Sequence, residues 1–453
     1  MKTTKQILGI AVFFIFLIAP QHVEAQFWKK VAKTAEKAAE KTILKKTEEK
    51  VSKKTGKTID DTVDGKPKKK KKQKKSKRNK ENDEAVISSD KENGVEENEN
   101  INEKPAFAAY SKFDFVAGET IIAYEDFSQD EIGDLPARWN SSNSAEVVTL
   151  NSAEGRFIQI GTGKGSYVPE FIEEFPENFT LEYDVVFDFD VAQYAYQRAL
   201  MVVFSDLKNP GYSLQDGTPG DNGFSFAIKG GISGGGEIDI YKYNKDRNLD
   251  LRSNKSIGLL HKDNRGRGQK MHISIWKQKQ RMRIYINEQK VFDIPRAFEK
   301  STTIKNVKFF SEISEENTFY YIGNIRYAVG KPDMRNKLIT EGKLVTYGIT
   351  FDTGKASMKS ESYGTIKKIA RVLTENPSVK VLITGHTDKD GDESSNQKLS
   401  EQRAASVKKV LVDEFDIEAS RLQTKGKGES DPIAEGNTPE AKAKNRRVEF
   451  KKI

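Results

Sequence analysis

The chain has 453 residues, no cysteine and only four histidines. This composition predicts two or three domains without disulfide bonds or a lipid-attachment cysteine, and it argues against cofactors, metal clusters and a Ser–His–Asp triad. The net charge of +9 lies in residues 26–80, which contain 22 Lys and Arg against 7 Asp and Glu, whereas residues 105–453 are neutral. Because the basic charge lies in one tail and the rest of the chain is neutral, the net charge does not favour a nucleic-acid-binding protein.

Residues 1–25 have the pattern of a secretory signal peptide. Lys2 and Lys5 precede a thirteen-residue apolar run, Ile7–Ala19, and a small-residue cleavage site ends at Ala25. The run is shorter than the roughly 20 residues that a spanning helix needs. We therefore expect the chain to be exported and the segment to be removed.

The next two segments are rich in charge. Residues 26–60 predict a weak amphipathic helix, because Trp28, Val31, Ala35 and Ala39 recur at helical spacing. Residues 61–106 are first basic and then acidic, a composition that cannot bury enough apolar surface to order the chain. We predict a disordered linker, which is either a solvated spacer or a basic segment that adheres to anionic surfaces.

Residues 107–330 predict an all-β domain. Short runs rich in Val, Ile, Tyr and Phe alternate with clusters of Gly, Asn, Asp and Pro, as in β-sandwiches and barrels. In Arg281–Ile286 the apolar side chains occupy alternate positions, and a hairpin turn is predicted around Asn287–Gln289. The pattern of the whole segment resembles laminin-G or concanavalin-like jelly rolls. That resemblance implies a module for a glycan or a protein partner, with Tyr241, Tyr243 or Trp276 as aromatic surfaces for sugars or as core residues.

One string in this domain is similar to a catalytic strand. Residues 237–243, EIDIYKY, resemble the strand that carries the carboxylates of laminarinase-type glycoside hydrolases. Glu237 and Asp239 share a strand face, but Lys242 occupies the position of the general acid. We therefore predict that the domain binds rather than cleaves.

Residues 331–342 predict a linker and residues 343–453 an α/β domain. Strands and helices alternate here, which favours helices packed on one sheet. The expected strands are 348–351, 379–383 and 447–450, and the expected helices are about 360–376 and 396–414.

The segment from Thr384 to Val407 combines an acidic loop with a basic helix. Asp388 lies in a glycine-flanked loop, where we expect it to be exposed, and Arg403 follows fifteen positions later on a helix. An acid accepts an ammonium group and a guanidinium binds a carboxylate with two hydrogen bonds, so together they suit both ends of an amino-acid zwitterion. The alternative is that Asp388 and Arg403 simply pair with each other.

This segment resembles the OmpA-like peptidoglycan-binding domain. The family pattern N-x-x-L-S-x-x-R-A-x-x-V is complete, at Asn396, Leu399, Ser400, Arg403, Ala404 and Val407. The resemblance spans about residues 343–453, and it implies that Asp388 and Arg403 hold the diaminopimelate of the peptidoglycan stem peptide.

Four further residues are candidates for the same site. Thr387 and Asn396 flank the pair, and Asp352 and Thr353 match a family position that lines the pocket. His386 is expected to be packed.

Arg446 and Arg447 are expected either to serve structure, paired with carboxylates such as Glu429, or to contribute to the site.

These features predict a non-enzymatic protein of the periplasm and outer membrane that is tethered to peptidoglycan. The alternatives are an outer-membrane β-barrel, porin-like protein with a periplasmic wall-binding domain and, less favoured, a polysaccharide hydrolase. Against the barrel, a long charged loop at residues 244–269 interrupts the middle region, and no lipid-facing aromatic girdle is evident.

Overall fold

The computed structural model describes residues 113–453 except for 192–197, 208–216, 218–219, 221, 233–234, 245, 247, 262 and 264. The predicted signal peptide, amphipathic helix and charged linker, and the first residues of the predicted middle domain, lie outside the described residues. Among the described residues, no helix combines the length and the apolar character needed to cross a bilayer.

The middle region consists of two antiparallel sheets, as the alternation of apolar residues predicts. The first contains β1 Thr120–Glu125, β3 Ala145–Thr149, β4 Arg156–Ile160, β6 Asn178–Asp188, β11 Met271–Gln278, β12 Arg281–Ile286, β13 Gln289–Ile294 and β15 Phe319–Val329. The second contains β2 Trp139–Ser141, β5 Gly163–Pro169, β7 Arg198–Ser205, β8 Phe224–Ile232, β9 Gly235–Tyr243, β10 Leu249–Ser256 and β14 Asn306–Ile313. The strand orders are β13-β12-β11-β6-β15-β4-β3, with β1 paired to β15, and β10-β9-β8-β7-β14-β5-β2.

The two sheets enclose one apolar core. Side chains from both sheets, including Leu181, Phe226, Ile284 and Phe309, form a single buried cluster. Strand β12 shows how the sequence specifies this arrangement, because Met282, Ile284 and Ile286 belong to that cluster while Tyr285 faces the other way. The predicted turn after β12 is confirmed, with Asn287 in the left-handed conformation at φ 50°. The all-β class of the middle region is confirmed, whereas its jelly-roll connectivity is not.

The C-terminal region is an α/β layer. Its four-stranded sheet has the order β16-β19-β17-β18, and only β17 and β18 run parallel. The strands are β16 Lys343–Thr346, β17 Val381–Gly385, β18 Leu422–Gly426 and β19 Val448–Lys452, and the helices are α1 Tyr363–Glu375, α2 Glu393–Asp413 and α3 Pro439–Asn445.

Most of these elements match the sequence predictions, but three do not. The first strand lies at Lys343–Thr346 instead of 348–351, where Phe351 forms only an isolated bridge with Met358. The sequence analysis also missed strand β18 and helix α3. Strand β18 has three exposed residues between two buried ends, so it shows no alternation, and α3 is only seven residues long.

A second apolar core joins the middle region to the C-terminal helices. Phe115, Trp276 and Tyr285 pack in one cluster with Ile366 and Ile369 of α1. Trp276 is 4% exposed and lies edge-on to Phe115, with Lys368 of α1 over its ring at 4.9 Å. The tryptophan therefore belongs to this core and offers no open surface to a sugar.

Glycine allows the close approach at the centre of this core. A Cβ atom on Gly364 would lie 2.0 Å from the carbonyl oxygen of Phe115, which no side chain tolerates. The segment around Phe115 thus crosses α1 at Gly364, which has no side chain.

Candidate functional site

The acidic loop after β17 is fixed against helix α2. Strand β17 is buried at four of its five residues, and at its end a Cβ atom on Gly385 would lie 2.3 Å from the backbone oxygen of Ser400 in α2. The strand end therefore packs directly on the helix. Helix α2 begins at Glu393, three residues earlier than predicted, because Asp392 caps it by accepting hydrogen bonds from the backbone N–H groups of Ser394 and Ser395.

Asp388 is almost buried in this loop, contrary to the expectation of an exposed side chain. Its residue exposure is 8%, and Oδ2 lies 2.6 Å from Nη1 of Arg446. Oδ1 accepts a hydrogen bond from the backbone N–H of Asp390. Asp388 is thus paired, but with Arg446 and not with Arg403.

Arg403 lies in the middle of α2 and points towards the segment before α1. Its Nε donates to the backbone oxygen of Lys355 at 3.0 Å and its Nη2 to that of Asp352 at 3.4 Å. The guanidinium also lies over the ring of Phe351, 5.0 Å from the ring centre. Within the described part of the chain, Arg403 forms no ion pair with a carboxylate, so its charge is available to an anionic ligand.

The three charges form one electrostatic group. Burial lowers the pKa of Arg403, the negative charge of Asp388 opposes that shift, and the positive charge of Arg446 adds to it. A guanidinium remains protonated in proteins nonetheless. The group thus combines two positive charges and one negative charge.

Asn396 holds the loop in place. Its side-chain nitrogen donates to the backbone oxygens of Asp388 and Asp390 and, at 2.7 Å, to Oε2 of Glu429. Asn396 is 6% exposed, and its predicted role in ligand binding stays a prediction.

Thr387 carries a buried polar atom that lacks a partner. Its backbone N–H donates to the oxygen of Gly428, while Oγ1 is buried and has no hydrogen-bond partner among the described residues. A buried hydroxyl without a hydrogen-bond partner destabilises the folded protein. A hydroxyl in this position fits a site where a ligand or a water molecule supplies the hydrogen bond.

The two candidates before α1 lie in different settings. Asp352 contributes its backbone oxygen to Arg403 and accepts a hydrogen bond from Ser357 Oγ at 2.7 Å through its side chain. Thr353 is exposed. The structure therefore brings Asp352 to Arg403 through the main chain, and the ligand-binding roles of Asp352 and Thr353 stay predictions.

The two C-terminal arginines pair with carboxylates, as expected, although not with Glu429. Arg447 is 2% exposed and pairs with Glu449 at 2.9 Å, and Glu429 accepts from Asn396 rather than from an arginine. Arg446 pairs with the carboxylate of Asp388, and a role for it in ligand binding stays a prediction. It is 58 positions away from Asp388 in the chain, so no local motif relates the two residues.

The Asp239 carboxylate of β9 is paired with cations. Asp239 is fully buried, lies 2.7 Å from Nζ of Lys229, and accepts a hydrogen bond from the hydroxyl of Tyr241 at 2.5 Å. Lys229 and Arg252 also lie over the Tyr241 ring, at 5.0 and 5.5 Å. Among the described residues, no group of three or more His, Cys, Asp or Glu side chains is placed to hold a metal ion.

Comparison with known proteins supports the assignment of the C-terminal region. A model of the OmpA family matches residues 350–446, which include every residue of the charge group around Asp388. The C-terminal part of the chain is an OmpA-family domain.

Individual relatives are similar over a stretch about as long as this OmpA-family domain. Outer membrane porin F of Pseudomonas aeruginosa is 42% identical over 111 residues, which are 24% of this chain and 32% of the porin. The probable lipoprotein YiaD of Escherichia coli is 43% identical over 102 residues, 22% of this chain and 46% of that protein. The chain thus spans about a third to a half of the length of these relatives.

Solved structures match over the same part of the chain. The cell wall anchor of the T6SS from Pseudomonas aeruginosa is 30% identical, with a TM-score of 0.22, and the match covers 24% of this chain and 78% of that structure. So low a score adds nothing about the rest of the fold.

The OmpA-family domain also contains a buried histidine, as predicted for His386. The residue is 2% exposed, neither ring nitrogen has a hydrogen-bond partner among the described residues, and Nε2 lies 3.6 Å from Glu449 Oε1. Burial, reinforced by the positive charge of Arg447, lowers the pKa of His386 to about 4.

The stability of the protein is therefore expected to fall as the pH drops from about 6.5 to about 4. In this window the unfolded chain binds a proton at residue 386 and the folded chain does not, so acid favours the unfolded state. The His386→Leu variant has no titratable group at this position. The difference in free energy of unfolding between wild type and variant should therefore change by about 1.4 kcal/mol for each pH unit between about 6.5 and about 4. Denaturant unfolding at several pH values measures it, and parallel stability curves for the two proteins would contradict it.

Proposed function

We propose that this protein is a non-enzymatic component of the bacterial cell envelope that binds peptidoglycan non-covalently through its OmpA-family domain. The ligand is the diaminopimelate of the stem peptide, whose free end carries one ammonium and one carboxylate. The outer-membrane and lipoprotein relatives support an envelope location.

The observation that carries the proposal is the charge group at Asp388, Arg403 and Arg446. Arg403 lacks a carboxylate partner among the described residues and is half-buried, so a ligand carboxylate meets a partly desolvated guanidinium. Such charge-assisted, two-fold hydrogen bonds are about twice as strong as neutral ones and fix the orientation of the ligand. The ammonium end faces the loop of Asp388, where Thr387 Oγ1 lacks a partner.

The two-sheet region provides a second module, for a glycan or an envelope protein. Its role is binding rather than hydrolysis, because Lys229 neutralises Asp239 and because Lys242 stands where a hydrolase would have its general acid. Lys242 is itself engaged with Asp250 and Glu299, each at 2.8 Å. A glycosidase needs two carboxyl groups that share the acid and the nucleophilic role, and this strand does not supply them.

The proposal is tested by sedimenting purified protein, residues 26–453, with isolated sacculi that contain diaminopimelate. We expect the protein to pellet with the sacculi and to be released by free diaminopimelate. The diamine 1,5-diaminopentane has both amino groups but no carboxylate, so it leaves Arg403 without a ligand and should not release the protein. Failure to pellet, or equal release by the two compounds, would overturn the proposal.

A further inference from the structure

Helix α3 of the OmpA-family domain docks on strand β1 of the two-sheet region. Three positions of the chain, each three residues apart, face that strand: Glu440 and Ala443 in α3, and Arg446 at its C-terminal cap. Residues three apart share one face of a helix. Glu440 pairs with Arg138 at 2.5 Å, and Ala443 belongs to a buried cluster with Ile121 of β1.

A bulge in β1 shapes the surface that receives the helix. In a regular strand Ile121 and Tyr124 point to opposite faces, because they are three residues apart. The pairing of β1 with β15 shifts between Ile121 and Ala123, and both Ile121 and Tyr124 contribute to the outer cluster with Ala443, whereas Ala123 joins the inner core. Bulges commonly re-aim side chains in this way.

Tyr124 is in direct contact with the charge group of the site. The guanidinium of Arg446 lies 5.4 Å from the centre of the Tyr124 ring, while its Nη1 is 2.6 Å from Asp388 Oδ2. Arg446 is therefore held between an aromatic ring of the two-sheet region and the carboxylate of the acidic loop. A cation over an aromatic face is attracted by the ring, and more strongly where water is partly excluded.

The carboxylates around Arg446 act in the same direction. Burial disfavours its protonated form, but neighbours that include the carboxylates of Asp388 and Asp126 raise its pKa. Tyr124 and Asp126 belong to the two-sheet region and Asp388 to the OmpA-family domain, so both parts of the chain fix the same guanidinium.

We propose that the peptidoglycan site is composite, with Tyr124 of the two-sheet region as the residue that positions Arg446 against Asp388. The proposal rests on the proposed function. Its consequence is that the middle region tunes the affinity of the wall-binding domain through α3, and that the two are one functional unit. The fixed guanidinium orients the Asp388 carboxylate for the ammonium of the ligand.

The test measures sacculus binding by residues 26–453 with substitutions at Tyr124. Tyr124→Leu keeps an apolar side chain against Ile121 but removes the ring, and we expect binding to weaken by about three- to thirtyfold. Tyr124→Phe keeps the ring and should recover most of the affinity. Tyr321→Leu, on the same sheet but in a separate apolar cluster with Phe157 and Val186, is the matched control and should bind as the wild type does.

A second comparison separates positioning from a general loss of structure. In an Arg446→Ala background, Tyr124→Leu should cause no further loss, because Tyr124 acts through Arg446. Wild-type protein that fails to bind sacculi would overturn the proposed function. Wild-type binding with full binding by Tyr124→Leu, or an undiminished effect of Tyr124→Leu in the Arg446→Ala background, would overturn the composite site alone.

Discussion

Replacing Arg403 by alanine is expected to release the protein from peptidoglycan sacculi. The substitution removes the guanidinium that has no carboxylate partner in the described chain and leaves the ligand carboxylate unpaired in a partly buried site. Truncating one partner of such a charge pair costs about 2–5 kcal/mol, which corresponds to a loss of affinity between about thirtyfold and several thousandfold. Sedimentation at a series of sacculus concentrations measures the change.

Two further variants make the Arg403 experiment specific. Arg403→Lys keeps the charge but not the planar fork, so it should bind with intermediate affinity. Arg371→Ala removes the same kind of side chain from the exposed face of α1, where Arg371 is 80% exposed and pairs only with Glu375, and it should bind normally. Because Arg403 also contacts the backbone at Asp352 and Lys355, the thermal unfolding midpoint of each variant is compared with that of the wild type. A folded Arg403→Ala variant that pellets like the wild type would contradict the assignment of the site.

The sequence predicted the main elements around this site because they have strong local signals. Helix α2 has a repeated apolar stripe at Ala404, Val407 and Leu411, and all three are fully buried. In strand β12 the residues Met282, Ile284 and Ile286 face the core between the two sheets, as their alternation in the sequence predicts. Helix α3 also has a local signal in the sequence, since Thr438 caps it and Pro439 occupies its first turn.

The arrangement of the charges was not predictable in the same way. The loop of Asp388 is flanked by glycine and contains Lys389, Asp390 and Asp392, a composition that predicts an exposed loop. Asp388 is nevertheless nearly buried. Its burial depends on Arg446, which is distant from it in the sequence. The docking of α3 on β1 places Arg446 next to Asp388. Pairings of this kind are set by tertiary packing, and no periodicity within either segment encodes them.

Loss of the ion pair between Arg326 and Glu182 is expected to have the largest effect on the stability of the protein. Arg326 Nε and Nη2 bind the two carboxylate oxygens of Glu182 at 3.0 and 2.6 Å, and Nη1 donates to the backbone oxygen of Tyr347 at 2.7 Å, beside β16 of the OmpA-family domain. The Glu182 side chain is 1% exposed. Among the described residues, Arg326→Ala leaves this buried carboxylate with His272, 3.6 Å away, as its ion-pair partner, and it removes a bridge between the two parts of the protein.

We therefore expect Arg326→Ala to lower the free energy of unfolding by about 3–5 kcal/mol, the usual cost of removing one partner of a buried pair. Arg281→Ala is the matched control, because Arg281 makes the same two-fold contact with Asp293, both at 2.7 Å, but is 42% exposed. Exposed pairs contribute about 0–1 kcal/mol, so this variant should be nearly as stable as the wild type. Adding Glu182→Leu to Arg326→Ala removes the buried charge and should restore part of the loss. Equal effects of the two arginine substitutions in denaturant unfolding, or no recovery in the double variant, would show that burial of Glu182 is not what makes Arg326 important.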